Sequence, residues 1–288
     1  MDAWEAVTAE YAALEAQLAD PRVHRDFRRA RRLRRCAAAL RPLNEDALRL
    51  RALLDDLRDV RDLAADPAWR ADPAWRAEGD RIEREAASLR ADLAAAVAAR
   101  DPFDPYDVIV LIDAETGGHR PVQAVVDAYQ EDARARGWHV EHLYNDPPPH
   151  WAMLGITAGE EGPGPWSVLK DGGGPRAVRT ADGPGTAHVT VLPEAEPAAV
   201  DPRDVRIDLY CTREPGAQTM LRVLHEPTRV GAYGGAPVPA RAQANAMRVV
   251  WAQLAVLGSA LEGRYQAVPQ APGGHLRLRA VAGRPASV

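Results

Sequence analysis

Residues 204–230 read DVRIDLYCTREPGAQTMLRVLHEPTRV, and this stretch decides how the chain is understood. Two segments in it, Val205-Arg206-Ile207-Asp208-Leu209-Tyr210 and Leu221-Arg222-Val223-Leu224-His225-Glu226-Pro227-Thr228, flank a short loop, Pro215-Gly216-Ala217-Gln218. Around it lie 288 residues, long enough for two or three structural units. Apolar residues make up 46%, sufficient for sizeable cores. A formal net charge of −5 argues against a protein coated along its length with nucleic acid, while leaving room for local basic patches. Of the 36 basic residues only Lys170 is lysine. With the alanine excess this reflects a GC-rich coding bias, so the choice of Arg over Lys is not itself recognition chemistry.

Cys36 and Cys211 lack CxxC spacing and fall in different zones, so neither a disulfide nor a zinc site is expected. No cofactor and no metal are expected. There is no apolar run of about 18 residues and no signal-peptide core. The expectation is a cytoplasmic protein without a membrane partner.

Upstream, residues 1–102 read as a helical domain. Trp4, Val7, Tyr11, Leu14 and Leu18 recur at alternating three and four spacing until Asp20-Pro21 breaks the pattern. Leu33, Cys36, Leu40, Leu43, Ala47, Leu50, Leu54 and Leu57 continue it as the narrow seam of a bundle or antiparallel coiled coil. A duplicated hexapeptide, ADPAWR at 65–70 and again at 71–76, reads as a loop insertion. Ile82, Leu89, Leu93 and Val97 mark a third helix. Prolines 102 and 105 then end the helical zone.

Residues 103–200 form the next expected domain. The β-branched run 108–112 predicts a buried strand and Thr116-Gly117-Gly118 a turn. Residues 121–136 predict an amphipathic helix that turns Val122, Val125, Val126 and Tyr129 inward and ends at Gly137. Residues 138–144 alternate as a strand, and further strands are expected at 152–157 and 187–192. Residues 201–265 form the last domain, closing with a helix over 241–261. The Pro-, Gly- and Arg-rich tail 266–288 is expected to be disordered.

On these residues the chain resembles the bacterial class I peptide chain release factors, colinearly over nearly its whole length. DPFDPYDVIVLIDAETGGHRPV is similar to that family's Asp-Pro linker, strand and Gly-rich turn, and RGWHVEHLY to its following strand. VTVLPEAEPAAVDPRDVRID is similar to the segment that leads into the family's catalytic loop. In the family a strand reading "D-x-R-I-D" precedes a loop ending Gly-Gly-Gln, and a strand reading "A-V-R-I-T-H-x-P-T-G" follows it. The resemblance therefore implies strands at 205–210 and 221–228. The expected fold class is α+β: an N-terminal helical bundle or coiled coil followed by two mixed α/β units of release-factor type. It also implies a ribosomal partner (rRNA and peptidyl-tRNA) with the protein a monomer off the ribosome. The implied template activity is hydrolysis of the peptidyl-tRNA ester in translation termination.

The resemblance puts Gln218 at the catalytic Gln, Gly216 at the first glycine and Ala217 at the second, and it implies RNA contacts at Arg176, Arg179, Arg206 and Arg222. Ester hydrolysis needs a directed water and stabilisation of the developing oxyanion. The glycines supply conformations and a close approach that a Cβ denies. A left-handed penalty of roughly 1–2 kcal/mol at Ala217 corresponds to about a tenfold loss of the competent population or more. The flanks depart too: Thr219-Met220-Leu221 replace the usual His-Val-Asn, and Glu214 brings a carboxylate towards RNA phosphates. The stretch corresponding to the codon-reading loop, PRAVRTADGPGT at 175–186, is several residues shorter and lacks the Pro-x-Thr or Ser-Pro-Phe tripeptide. Stop-codon discrimination needs hydrogen bonds to unstacked base edges.

The chain thus reads as a divergent paralogue with an altered Gly-Gly-Gln loop, its hydrolysis weakened or lost and not codon-specific. Two other readings stand beside it: a non-hydrolytic ribosome- or RNA-binding regulator, rescue or protection factor, and a specialised tRNA-ester-processing protein. Other features have plain explanations. The arginine run between 22 and 35 suits a solvated helix face as well as an rRNA contact. His139 and His142 point to opposite strand faces, which is not a metal site. Cys211 has no His/Asp partner, and Gly172-Gly173-Gly174 lacks the Lys-Ser/Thr of a phosphate loop.

Overall fold

The computed structural model describes residues 3–65, 73–145, 151–160, 162–195, 200–210, 219–259, 261–270 and 275–281. The chain divides into two compact units between Pro102 and Phe103.

The first unit is three helices, α1 (Ala3–Ala19), α2 (Phe27–Ala65) and α3 (Pro73–Ala99). On α2 Arg35 is buried at 2% exposure, and the buried apolar side chains are Ala30, Leu33, Ala37, Leu40, Ala47, Leu50 and Leu57. Their steps of three, four and seven have the 3.5-residue period of helices wound side by side. Val7 and Leu14 of α1 pack against the first half of that seam. Ala86 and Leu93 of α3 pack against the second half. Pro42 lies inside α2 and has no amide to give the preceding turn. Arg49–Glu85 at 2.6 Å and Arg61–Glu83 at 3.3 Å link α2 to α3 on the surface. Such exposed pairs each contribute at most about 1 kcal/mol, so the seam, not the charges, holds the bundle. Most of the duplicated hexapeptide (66–72) lies outside the described residues.

The second unit runs β1 (Val108–Thr116), α4 (Arg120–Ala135), β2 (His139–Asn145), β3 (Trp151–Thr157), a short α5 (Pro165–Leu169), β4 (Gly174–Thr180), β5 (Gly183–Pro193), β6 (Val205–Tyr210), β7 (Thr219–His225), β8 (Gly231–Ala236), α6 (Pro239–Val256), β9 (Tyr265–Gln270) and β10 (His275–Ala280). The first five strands make an antiparallel sheet in the order β2-β3-β1-β5-β4, and β6-β7-β8 make a second. Residues 108–112 of the central β1 are buried at every position. Such a run belongs to a strand covered on both faces. Gly137 takes φ +69° where α4 ends, the left-handed residue expected there.

Two expectations change. The zones 103–200 and 201–265 were expected as separate domains, but their sheets share one hydrophobic cluster with α6. The two zones join where Trp151 of β3 meets Tyr233 of β8 and the Tyr144 hydroxyl of β2 donates to Met220 Sδ of β7. Within the second zone a Cβ on Gly234 of β8 would strike the Ala242 carbonyl, so glycine there lets α6 lie directly on the strand. Likewise, within the tail 266–288 expected to be disordered, the described residues form strands: β9 and β10 pair antiparallel. Leu278 and Arg277 are buried, the Leu278 amide donates to Gln253 Oε1 (2.8 Å), and Tyr265 Oη donates to the Val191 carbonyl (2.6 Å). The remaining tail, from 282, lies outside the described residues.

Candidate functional site

The β6–β7 hairpin carries the loop that the sequence singled out. Residues 205–210 pair with 225–220 in strict antiparallel register, so Tyr210 faces Met220 at the root of the connection. The connection itself, residues 211–218, lies outside the described residues, and with it Cys211, Gly216, Ala217 and Gln218. Its root is well supported. Tyr144 stacks on Trp151 with ring centres 3.8 Å apart, and Trp151 meets Tyr233 at 5.4 Å. The Tyr144 hydroxyl donates to Met220 Sδ at 3.1 Å. This aromatic cluster draws on β2, β3 and β8 and fixes the start of β7. Sequence reading did not find it, because no local pattern links residues so far apart.

One face of the hairpin is electrostatic. The register sets Asp208 opposite Arg222. Asp208 accepts Arg222 Nε at 3.1 Å and also its Nη2, and takes Arg206 at 3.3 Å. Arg222, then Arg206, hold the Asp208 carboxyl below its ordinary range. Arg206 also reaches Glu226 Oε1 at 2.8 Å. Two of the expected RNA contacts therefore separate. Arg222 is only 5% exposed and is committed to its cross-strand carboxylate, so it belongs to the scaffold. Arg206 is exposed but shared between two carboxylates.

The second candidate region is the β4–β5 hairpin. Thr180 pairs with Gly183, leaving only Ala181 and Asp182 at the tip. Gly183 takes φ +119°, and Thr180 Oγ1 donates to the Gly183 carbonyl at 2.8 Å. Asp182 is ion-paired with Arg120, the first residue of α4. The turn before α4 closes on the same hairpin, since a Cβ on Gly117 would come within 3.0 Å of Gly185 Cα. A cleft of about 490 Å³ runs beside it, lined by Thr116, Val178, Arg179 and Gly185 among others. A second, of about 310 Å³, lies between α4 and β4, with Tyr129, Asp132 and Arg176 on its walls. Burial raises the Tyr129 phenol above its usual range. Arg176 and Arg179 are exposed on β4, the edge strand of its sheet, and Arg176 Nη2 donates to the Gly172 carbonyl at 2.8 Å.

Between α6, β2 and the residue after β5 lies an ion network that sequence reading missed. Arg248 of α6 gives Nε and Nη2 to Glu194 (2.6 and 3.1 Å) and Nη1 to Glu141 (2.7 Å). All three side chains are at most 17% exposed. Gly155, which pairs with Glu141 on the neighbouring strand, leaves the guanidinium its place: a Cβ there would sit 2.7 Å from Arg248 Nη2. His142 is placed against Gln130 (2.8 Å). Among the described residues no cluster of His, Cys, Asp and Glu could hold a metal ion, and no helix is long and apolar enough to cross a membrane.

The family model and the curated relatives point to one family. The PCRF domain family matches residues 7–182. Peptide chain release factor 1 of Acidothermus cellulolyticus is 37% identical, covering 80% of this chain and 68% of its own length. The proteins of the same description from Frankia casuarinae and Mycolicibacterium vanbaalenii are 33% and 32% identical, each over 78% of this chain and 69% of theirs. Among solved structures, RF2 of Thermus thermophilus aligns with a TM-score of 0.46 at 22% identity, over 93% of this chain and 82% of that one. The chain belongs to the class I peptide chain release factor family.

Proposed function

We propose that this protein acts on the ribosome as a translation termination factor of altered type, binding the A site without reading a stop codon and releasing peptide weakly or not at all. Membership of the release factor family supplies the template: a water is directed at the peptidyl-tRNA ester while the oxyanion is stabilised. Off the ribosome the protein is a cytoplasmic monomer.

The observation that carries the departure is the two-residue tip of the β4–β5 hairpin. Reading a codon requires donors and acceptors that reach unstacked base edges. Here the tip offers an alanine methyl and a carboxylate bound to Arg120. Arg176 and Arg179 beside it supply positive charge to RNA phosphates without discriminating bases. At the other hairpin, Gln218 and Gly216 are retained for the ester, and Ala217 restricts the backbone between them. Buried Arg222 takes no part in RNA binding, and Arg206 contributes at the surface.

Co-sedimentation with ribosomes carrying either a stop or a sense codon in the A site tests this. Equal binding to both is expected. Binding that requires the stop codon would refute codon independence, and no binding to either would refute the ribosomal role.

A further inference from the structure

We infer that the turn between α1 and α2 is a binding surface for single-stranded RNA, with Phe27 as a stacking platform and Arg22, Arg25 and Arg29 as phosphate contacts. Between positions 22 and 35 the chain places eight arginines and one acidic residue, Asp26, in a protein of net charge −5. Positive charge is therefore concentrated here. Within this run Phe27 is 82% exposed, more than any other large apolar side chain among the described residues. Arg22, Arg25, Arg28 and Arg29 around it are exposed as well.

The turn is rigid, which is what makes Phe27 a platform. Val23 is buried with Val7, Leu14 and Ala30 in the helical core. Asp20 Oδ1 accepts the Arg22 amide at 2.9 Å, and Asp26 Oδ1 accepts the amides of Arg28 and Arg29 at 3.1 Å. Anchored on both sides, the first residue of α2 holds its ring in solvent. A fixed aromatic face flanked by cations matches an unstacked base and its neighbouring phosphates. A duplex keeps its bases stacked and offers that ring nothing. Little ordering cost falls on the protein when such a surface is filled. The site lies in the helical unit and goes beyond the ribosomal contacts proposed above for the second unit.

The test is fluorescence anisotropy of the full chain with a labelled oligouridylate of about 12 nucleotides, within the site sizes of such surfaces. Phe27→Ala should weaken binding by about 5- to 100-fold and leave its salt dependence unchanged. Phe27→Trp should retain it. Arg25→Gln with Arg29→Gln should weaken binding and lower the log–log salt slope by about 1.4, roughly 0.7 per lost phosphate contact. Absent binding, or equal binding by Phe27→Ala, overturns the inference. So does Phe27-dependent binding of labelled polyglutamate in place of RNA, which would assign the surface to an acidic protein. Ribosome co-sedimentation separates the two proposals: if it fails while Phe27 still governs RNA affinity, only the proposed function falls.

Discussion

The β4–β5 and β6–β7 hairpins lie in one compact unit, and on the proposed reading they depart from the family template in opposite ways. The first closes in a tip of two residues, tied to α4 through Asp182 and Arg120. The second joins Tyr210 to Thr219 through eight residues, 211–218, that include Gly216-Ala217-Gln218. A tip this short lacks base-reading atoms that no single substitution supplies. An alanine beside the glutamine carries a methyl group that one substitution removes. The two halves of the family's activity should therefore differ in how readily they can be recovered.

This contrast requires that both hairpins rest on sound foundations, so that differences at the tips are not symptoms of a failing fold. The largest expected effect tests that foundation. Arg248→Ala would leave Glu141 and Glu194 as two poorly hydrated carboxylates without their shared cation. Breaking such a pair destabilises by about 3–5 kcal/mol, which urea unfolding followed by tryptophan fluorescence would read. An unchanged midpoint would mean that the network is not what joins α6 to the sheet. Next, Gly234→Ala pushes a methyl group into the Ala242 carbonyl, and overpacking of this kind costs about 1–3 kcal/mol. Full stability in that variant would show that α6 does not depend on the bare backbone of β8.

On the proposed reading, Ala217→Gly should raise peptide release about tenfold or more, because a glycine there avoids the roughly 1–2 kcal/mol cost that a left-handed backbone imposes on a residue with a Cβ. The smallest effect concerns pH. Burial first, then Arg279, hold the His188 imidazole below its usual range, although Glu115 and the Ala280 carbonyl face it at 3.4 and 3.1 Å. A histidine kept neutral in the fold stabilises above its unfolded pKa of about 6.5, and that stability is lost as pH falls. Between about pH 7.5 and 5.5 the unfolding midpoint should drop, and His188→Gln should flatten the slope. A slope unaltered by that substitution would show that docking of β10 on β5 is insensitive to this proton.

What could be read in the sequence followed the range of the forces involved. The heptad seam of α2, the all-buried run 108–112 and the glycine ending α4 are local patterns, and each folds as its residues dictate. Through the family's strand pattern Arg222 reads as an RNA contact, and only the cross-strand register that sets Asp208 opposite it removes it from the RNA surface. The Arg248 network joins positions 107 and 54 residues apart in the chain, which no periodicity reveals. Strand β8 was hidden by its glycines, which signal loops until a helix is seen resting on them. The β9–β10 hairpin was hidden by its prolines and arginines, although Leu276, Leu278 and Ala280 alternate with Arg277 and Arg279 as a strand should. Arg277 could be buried there because Asp113 meets it.

The most direct measurement of the central claim is the ratio of peptide release on stop-programmed ribosomes to that on sense-programmed ribosomes, taken for the native chain and for Ala217→Gly. A two-residue tip predicts a ratio near one in both, with the glycine variant faster on either codon. A native chain that releases peptide briskly at stop codons and ignores sense codons would contradict it, since some other surface would then be reading bases.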